Sequence, residues 1–170
     1  DAISKEIAAI GEAAGPPGEG GGFNQAGYGL MSLERGHGRE GTALWMMYGR
    51  SFGHGHHDRL NLGIYGFGLK LSPDLGYPEF ATRWPKRGEW TDNTISHNTV
   101  IVDASPQRAN WGGHPVFFKR LPGLSAGEVR SVNVYEHCDV YARTITLVSV
   151  GPARAYGFDV FRVRSGSDHL

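Results

Sequence analysis

The sequence carries a single cysteine, Cys138, in 170 residues. It can form no internal disulfide, and no cysteine-rich zinc ribbon or finger. It also lacks any run of about 18 apolar residues, so no segment is long enough to cross a bilayer as a helix. Net charge is missing as well: 17 basic residues balance 17 acidic ones, and no long basic run stands out. The electrostatic footprint of a nucleic-acid binder is therefore absent, and nucleic acid is not an expected partner. The amino terminus has neither the charged nor the apolar region of a signal peptide. The chain begins with Asp1 rather than Met and stops at "RVRSGSDHL", just after a strand-like run, so the expectation is a piece of something longer.

Glycine is plentiful instead, at 26 residues with 9 prolines, which favours turns and short strands over long helices. The opening "DAISKEIAAIGEAAG" sets Ile3, Ile7 and Ile10 at helical spacing and reads as a short helix. "PPGEGGG" follows as a linker, which puts a boundary near residue 22. From Phe23 onward, β-branched and aromatic runs alternate with Gly, Pro, Asn and Asp clusters. Strands are expected in "AGYGLMSLE", "TALWMMYG", "RLNLGIYGFG", "LKLSP", "NTVIVD", "GEVRSVNVY", "VYARTITLVS" and "YGFDVFRVR". In "VYARTITLVS" the period is two, with Tyr141, Ile145 and Leu147 on one face. Many short strands without an intervening helical pattern predict a mainly β fold, an antiparallel β-sandwich or jelly-roll-like double sheet.

The stretch "HGHHD" concentrates three of the chain's eight histidines, His54, His56 and His57, beside Asp58. On an extended segment His54 and His56 would share a face, and such a pair can present two nitrogens to one zinc ion. A bland alternative is a solvated turn rich in Gly and His. A metal site needs further ligands, and two stand out: Asp74 in "SPDLGYP", carried back across a hairpin if the chain turns at Gly68, and His97 in "TISHNTVIVD". Each has its own plain reading, a turn aspartate and a surface histidine.

Three blocks in order, "HGHHDRLNLGIYGFGLKLSPDLGYP", a tryptophan and "TISHNTVIVD", resemble the signature of the heparinase II/III-like β-sandwich domain of uronate polysaccharide lyases, over about residues 23–165. The resemblance implies that His54 is catalytic and that His56, Asp74 and His97 hold a structural zinc ion. It assigns no role to His57, and Asp58 would orient a ligating imidazole from behind. It also implies that residues 1–22 are the end of a missing helical toroid and that 23–170 are a sandwich truncated at its C-terminus. That toroid would form the other wall of the cleft and supply a tyrosine with Asn or His, leaving the isolated chain nearly inactive. A periplasmic or secreted bacterial location goes with the resemblance, which is also compatible with a homodimer.

The implied reaction is β-elimination on an acidic polysaccharide, in which preorganised donors or cations neutralise the charge that develops at the uronate. A histidine can do this or move a proton. Hydrolysis would need a carboxylate pair, and the sequence shows no convincing one. Trp84, Arg87 and Trp90, with Arg83 and Lys86, form a loop that could meet sugar rings and carboxylates, against the plain reading of a solvated charged loop. Trp111 and His114 sit in a Gly-rich loop, "NWGGHP". Two other functions compete with the lyase. One is a non-catalytic carbohydrate-binding or structural sandwich whose zinc only holds loops. The other is a cupin-like metalloenzyme, disfavoured because "DRLNLG" lacks the glutamate that usually follows HxH.

Overall fold

Alternating residues drive this chain into two antiparallel sheets. The computed structural model describes residues 21–76, 86–151 and 154–166, so the predicted N-terminal helix and most of its linker lie outside the described residues. The first sheet is a meander of β1 (Gly21–Gln25), β2 (Leu30–Arg35), β3 (Thr42–Met47), β4 (Asn61–Gly66) and β5 (Leu69–Ser72), paired in chain order. The second is β6 (His114–Leu121), β7 (Leu124–Arg130), β8 (Cys138–Gly151) and β9 (Arg154–Ser165), again in chain order. The expected double-sheet β-sandwich is what forms.

Inward residues of both sheets make one core. Met31, Leu33, Leu44, Met46 and Leu62 of the first sheet meet Val129, Tyr141, Ile145 and Leu147 of the second. The two-residue period expected in β8 is present, with Tyr141, Ile145 and Leu147 all buried. Two glycines set how closely the sheets approach. A Cβ on Gly127 would lie 2.1 Å from Met31 Sδ, and one on Gly157 2.8 Å from Leu44 Cδ1, so each keeps a pocket for a facing side chain.

The hairpin expected at Gly68 is there: β4 turns into β5 through Phe67 and Gly68, both at positive φ, as a two-residue turn matched to strand twist requires. Three strand expectations need correction, and one strand was not expected. "AGYGLMSLE" starts the strand too early, since 26–29 are the turn between β1 and β2. "GEVRSVNVY" runs too far, because β7 ends at Arg130. "NTVIVD" forms no strand at all, only an isolated bridge from Val102 to Ser105. Its backbone bonds instead to side chains, among them Asn61 of β4 and Tyr141 and Arg143 of β8. β6 went unforeseen, because Gly112, Gly113 and Pro115 made its start look like loop; His114 opens this strand.

The connection between the sheets is described at residues 73–76 and 86–113. It includes a π-helical turn (Arg87–Thr91) and a 3₁₀ turn (Thr94–Ser96). Together with the 48–60 loop between β3 and β4, it builds the site.

Candidate functional site

Of the two conformations open to "HGHHD", extended segment or Gly- and His-rich turn, the structure has the turn: the motif lies in the β3–β4 loop, where Gly53 has a φ of 69° and Gly55 N–H closes a turn on Phe52 O. What an extended strand would have supplied by sheet pairing is supplied here by buried polar side chains. Arg59, 2% exposed, sends its guanidinium back under the loop to Gly49 O, to Ser51 Oγ (2.6 Å) and to Asn110 O (3.0 Å). Gln107, equally buried, brackets the Arg59 backbone: its Oε1 accepts from Arg59 N–H (2.6 Å) and its Nε2 donates to Arg59 O (3.0 Å). The same Nε2 also reaches the Tyr141 hydroxyl at 2.8 Å. Thr94 Oγ1 donates to His57 O and accepts from Gln107 N–H, while His57 N–H donates to Asp92 O. Of the Arg59 guanidinium, Nε is left without a partner while both terminal nitrogens are bonded, and a buried network bonded this densely holds one loop conformation.

A second tie runs through Asn98. Its N–H donates to Asn61 Oδ1 (3.0 Å), its Nδ2 to Leu62 O (3.1 Å), and its carbonyl accepts from Leu62 N–H (3.2 Å). Arg143 of β8 donates to the carbonyls of Leu60 (2.7 Å) and Asn98, and is itself held by both oxygens of Asp159 at 2.8 and 2.7 Å. These bonds show why "NTVIVD" forms no strand: Asn98 meets the start of β4 through side-chain bonds and a single backbone bond, and Thr99 turns its hydroxyl to Arg59 O, so no ladder continues along the segment.

On this frame His56, Asp58, Asp74 and His97 converge, each offering one ligand atom, all within 4.8 Å of one another. His56 Nδ1 lies 3.6 Å from Asp74 Oδ1, and His97 Nδ1 3.2 Å from Asp74 Oδ2. Asn61 Nδ2 spans the two acids, 3.2 Å from Asp74 Oδ2 and 3.4 Å from Asp58 Oδ2. The β4–β5 hairpin carries Asp74 to the histidines as the sequence predicted, and His97 joins them. Asp58 does more than expected: one of its oxygens enters the group itself. It also forms with Asp74 a carboxylate pair that sequence spacing did not reveal.

The electrostatics are those of a cation site. The neighbouring His56 and then His97 hold the Asp74 carboxyl well below the usual carboxylate range. Asp74 in turn raises His56. Burial pushes Asp58 up. His97, its side chain 1% exposed, has its two ring nitrogens facing acceptors, Nε2 on Thr91 O at 3.1 Å and Nδ1 on Asp74. A cation taking the place of the Nδ1 proton would leave Nε2–H on the Thr91 carbonyl, the arrangement of a metal-bound histidine. Two carboxylates and two imidazoles at this depth fit a divalent cation with nitrogen and oxygen preferences.

His54 stands outside this group, two residues before His56 but exposed. Of the three predicted sugar contacts, Trp84 lies outside the described residues. Trp90 is half exposed on the π-helical turn. Arg87 has a side chain only 16% exposed and lies 3.5 Å from Asp92, so it is largely turned into the protein. Its charge acts on His56, whose proton affinity it lowers. Sequence reasoning missed Arg59, Asn61, Asn98 and Gln107; their one signal was polar residues interrupting apolar runs.

Residues 15–150 match the family described as Heparinase II/III-like, C-terminal. The chain belongs to that family. Among curated relatives of this family domain is an alginate lyase of Stenotrophomonas maltophilia (strain K279a), 33% identical over a match that covers 57% of the chain and 13% of the relative. The solved structure of a heparinase III matches with a TM-score of 0.73 at 19% identity, covering 96% of this chain and 25% of that one. A lysine-methylated form of a heparinase III matches at TM-score 0.63, also 19% identical, with 85% and 22% coverage. At that identity the structures establish the shared fold. The chain's match thus spans a quarter or less of the length of each of these relatives.

Proposed function

We propose that this chain is the β-sandwich part of a polysaccharide lyase that cleaves a uronate-containing polysaccharide by β-elimination. The observation that carries the reading is the division of labour within one loop: an exposed His54 is separated by a single glycine from a buried His56 that belongs to the four-residue cation group. The alginate lyase and heparinase III relatives support it, because both names denote lyases of uronate polymers.

In such a reaction a base takes the proton α to the uronate carboxylate, the electron pair forms the C4–C5 double bond, and the C4–oxygen bond breaks as that oxygen gains a proton. His54 would donate to the substrate carboxylate or carry one of these protons; an imidazole in such a role typically contributes about 10²- to 10⁴-fold in rate. A tyrosine would do the other half. His56, Asp74 and His97 would hold a zinc ion, with Asp58 beside it. That ion would supply a fixed positive charge that neutralises the two buried acids and pins the loop bearing His54. An N-terminal helical domain ending near residue 22 would complete the cleft, consistent with the greater length of the relatives. An enzyme acting on such a polymer would be periplasmic or secreted. Among the described residues no helix is long and apolar enough to cross a membrane.

The test is the ultraviolet absorbance of the unsaturated uronate, measured with full-length protein on alginate and on heparan-type polymers. A rise on at least one polymer is expected, and none on any uronate polymer would overturn the reading. A non-catalytic saccharide-binding module is the outcome if binding persists without that rise.

A further inference from the structure

The start of the loop that carries His54 borders a second feature, a cleft of about 460 Å³ between the β1–β2 turn and the loop that precedes β6. Its two walls carry Tyr28 and Trp111, which are 80% and 79% exposed, among the most exposed large side chains of the described residues. Exposed aromatics of this size are costly to leave in water, roughly 25 cal/mol per Å² of apolar surface, and they mark binding surfaces when they face one another across a concavity.

Both walls are rigidly placed, because both hang from Tyr48. Its N–H donates to Gly29 O at 2.6 Å on one side, and its carbonyl accepts from Gly113 N–H at 2.7 Å on the other. Trp111 is further braced. The Phe52 ring lies 5.3 Å away at 57°, and the preceding Asn110 exchanges hydrogen bonds with Ser51, from Ser51 N–H to Asn110 O and from Asn110 N–H to Ser51 Oγ, both 3.0 Å. Thus the indole is exposed without being loose, and side-chain ordering would cost little on binding. The floor is backbone. Gly49 cannot carry a side chain, since a Cβ there would lie 2.5 Å from Tyr28 O, and Gly112, at a φ of 136°, would press on Tyr48 O. Arg50, exposed near the start of the β3–β4 loop, also lines the cleft and gives it a cation.

Two flat aromatic walls, a floor of peptide groups and one guanidinium match an acidic pyranose: apolar C–H faces against the rings, hydroxyls to the backbone, carboxylate to the arginine. We propose that this cleft is a saccharide subsite, with Trp111 and Tyr28 as stacking walls and Arg50 as the uronate carboxylate contact. Its position fits a continuous substrate track, since Phe52, which supports Trp111, lies two residues before His54 on the same loop. The inference rests on the reading of the chain as part of a uronate polysaccharide lyase.

The experiment measures binding apart from turnover, by tryptophan fluorescence and calorimetry on full-length His54→Ala protein. The probes are a mannuronate tetrasaccharide, a glucuronate–glucosamine tetrasaccharide and their carboxyl-reduced counterparts; the acid that binds more tightly identifies the polymer. Adding Trp111→Ala or Tyr28→Ala should weaken binding about 10- to 100-fold, as loss of a stacked anchor does, while Trp111→Phe restores most of it. Adding Arg50→Ala should weaken the acidic probe about tenfold and leave the reduced one unchanged. Leu121→Ala, on the distant β6–β7 hairpin, should change nothing. The subsite is refuted if no probe binds, or if Tyr28, Arg50 and Trp111 variants of unchanged melting temperature all bind within twofold of their parent. Should Trp111→Ala not fold, the Arg50→Ala comparison of acidic and reduced probes decides alone. If wild-type protein forms no unsaturated product yet Trp111→Ala still loses binding, the lyase reading fails and the subsite stands. Product formation with unaltered binding in the variants gives the reverse.

Discussion

The imidazoles of His56 and His97 lie with centroids 5.0 Å apart and planes inclined at 36°, and both turn Nδ1 towards the single carboxylate of Asp74. One residue comes from the β3–β4 loop, one from the long connection between sheets, and the acid from the end of a hairpin. Holding three chain segments together at one charged point is what a metal site does for a loop-rich region.

Replacing His56, Asp74 or His97 by Ala should lower zinc from about one per chain towards none, read by elemental analysis after dialysis. Each should also depress the melting temperature by several degrees, since about 1 kcal/mol corresponds to roughly 2–4 °C in a domain of this size. Unchanged zinc in all three variants would sink the ligand assignment. Asp58→Asn tests the acid that only the structure brought into the group; weaker zinc retention is expected, and full retention would return Asp58 to a supporting role.

His54→Ala should behave in the opposite way. It should abolish formation of unsaturated product by the full-length protein while leaving zinc content and melting temperature as in wild type. Loss of zinc in this variant would mean that His54 belongs to the metal group.

Gln107→Ala removes the side chain that satisfies both backbone groups of Arg59 and bonds the Tyr141 hydroxyl. Arg59 O and the Tyr141 hydroxyl keep Thr99 Oγ1 as a partner, so it is the Arg59 N–H that is left unpaired; leaving one such buried group without a partner costs about 1–3 kcal/mol, and a loss of that size in urea unfolding is expected. A loss below about 0.5 kcal/mol would show that the loop does not depend on this clamp.

Alkaline pH should destabilise the domain through two buried phenols. Burial pushes Tyr135 up to about 12 from its ordinary 10.0, and raises Tyr141 as well. The folded chain therefore keeps these protons while the unfolded chain loses them, so stability is full below pH 10 and falls as pH rises from there towards 12. Tyr141→Phe should flatten the fall measured by denaturation at stepped pH. An unaltered slope in both Tyr135→Phe and Tyr141→Phe would contradict the assignment.

Much of the fold could be read along the chain because strand burial follows a period of two, as in β8, and because Phe67-Gly68 sits between two apolar runs. "NTVIVD" misled for the same reason: its apolar residues look like a strand, but Val102 is buried in the core with Val100 packed against it, while Asn98 bonds the start of β4 and Thr99 bonds Arg59 O. β6 was hidden because glycine and proline at its start mimic a turn.

The sequence by itself determined the double-sheet class, the hairpin that returns Asp74, and three of the four residues that gather around one point. These depend on local period, turn chemistry and residue type, which are written in neighbouring positions. Only the tertiary structure decided that Asp58 faces into the group, that Gln107 clasps Arg59, that Arg87 is largely turned away from solvent, and that Tyr28 and Trp111 face a common cleft. Each of those depends on how closely distant segments approach, and that is set by packing between sheets and by the pairing of buried polar groups, neither of which has a signature in spacing along the chain.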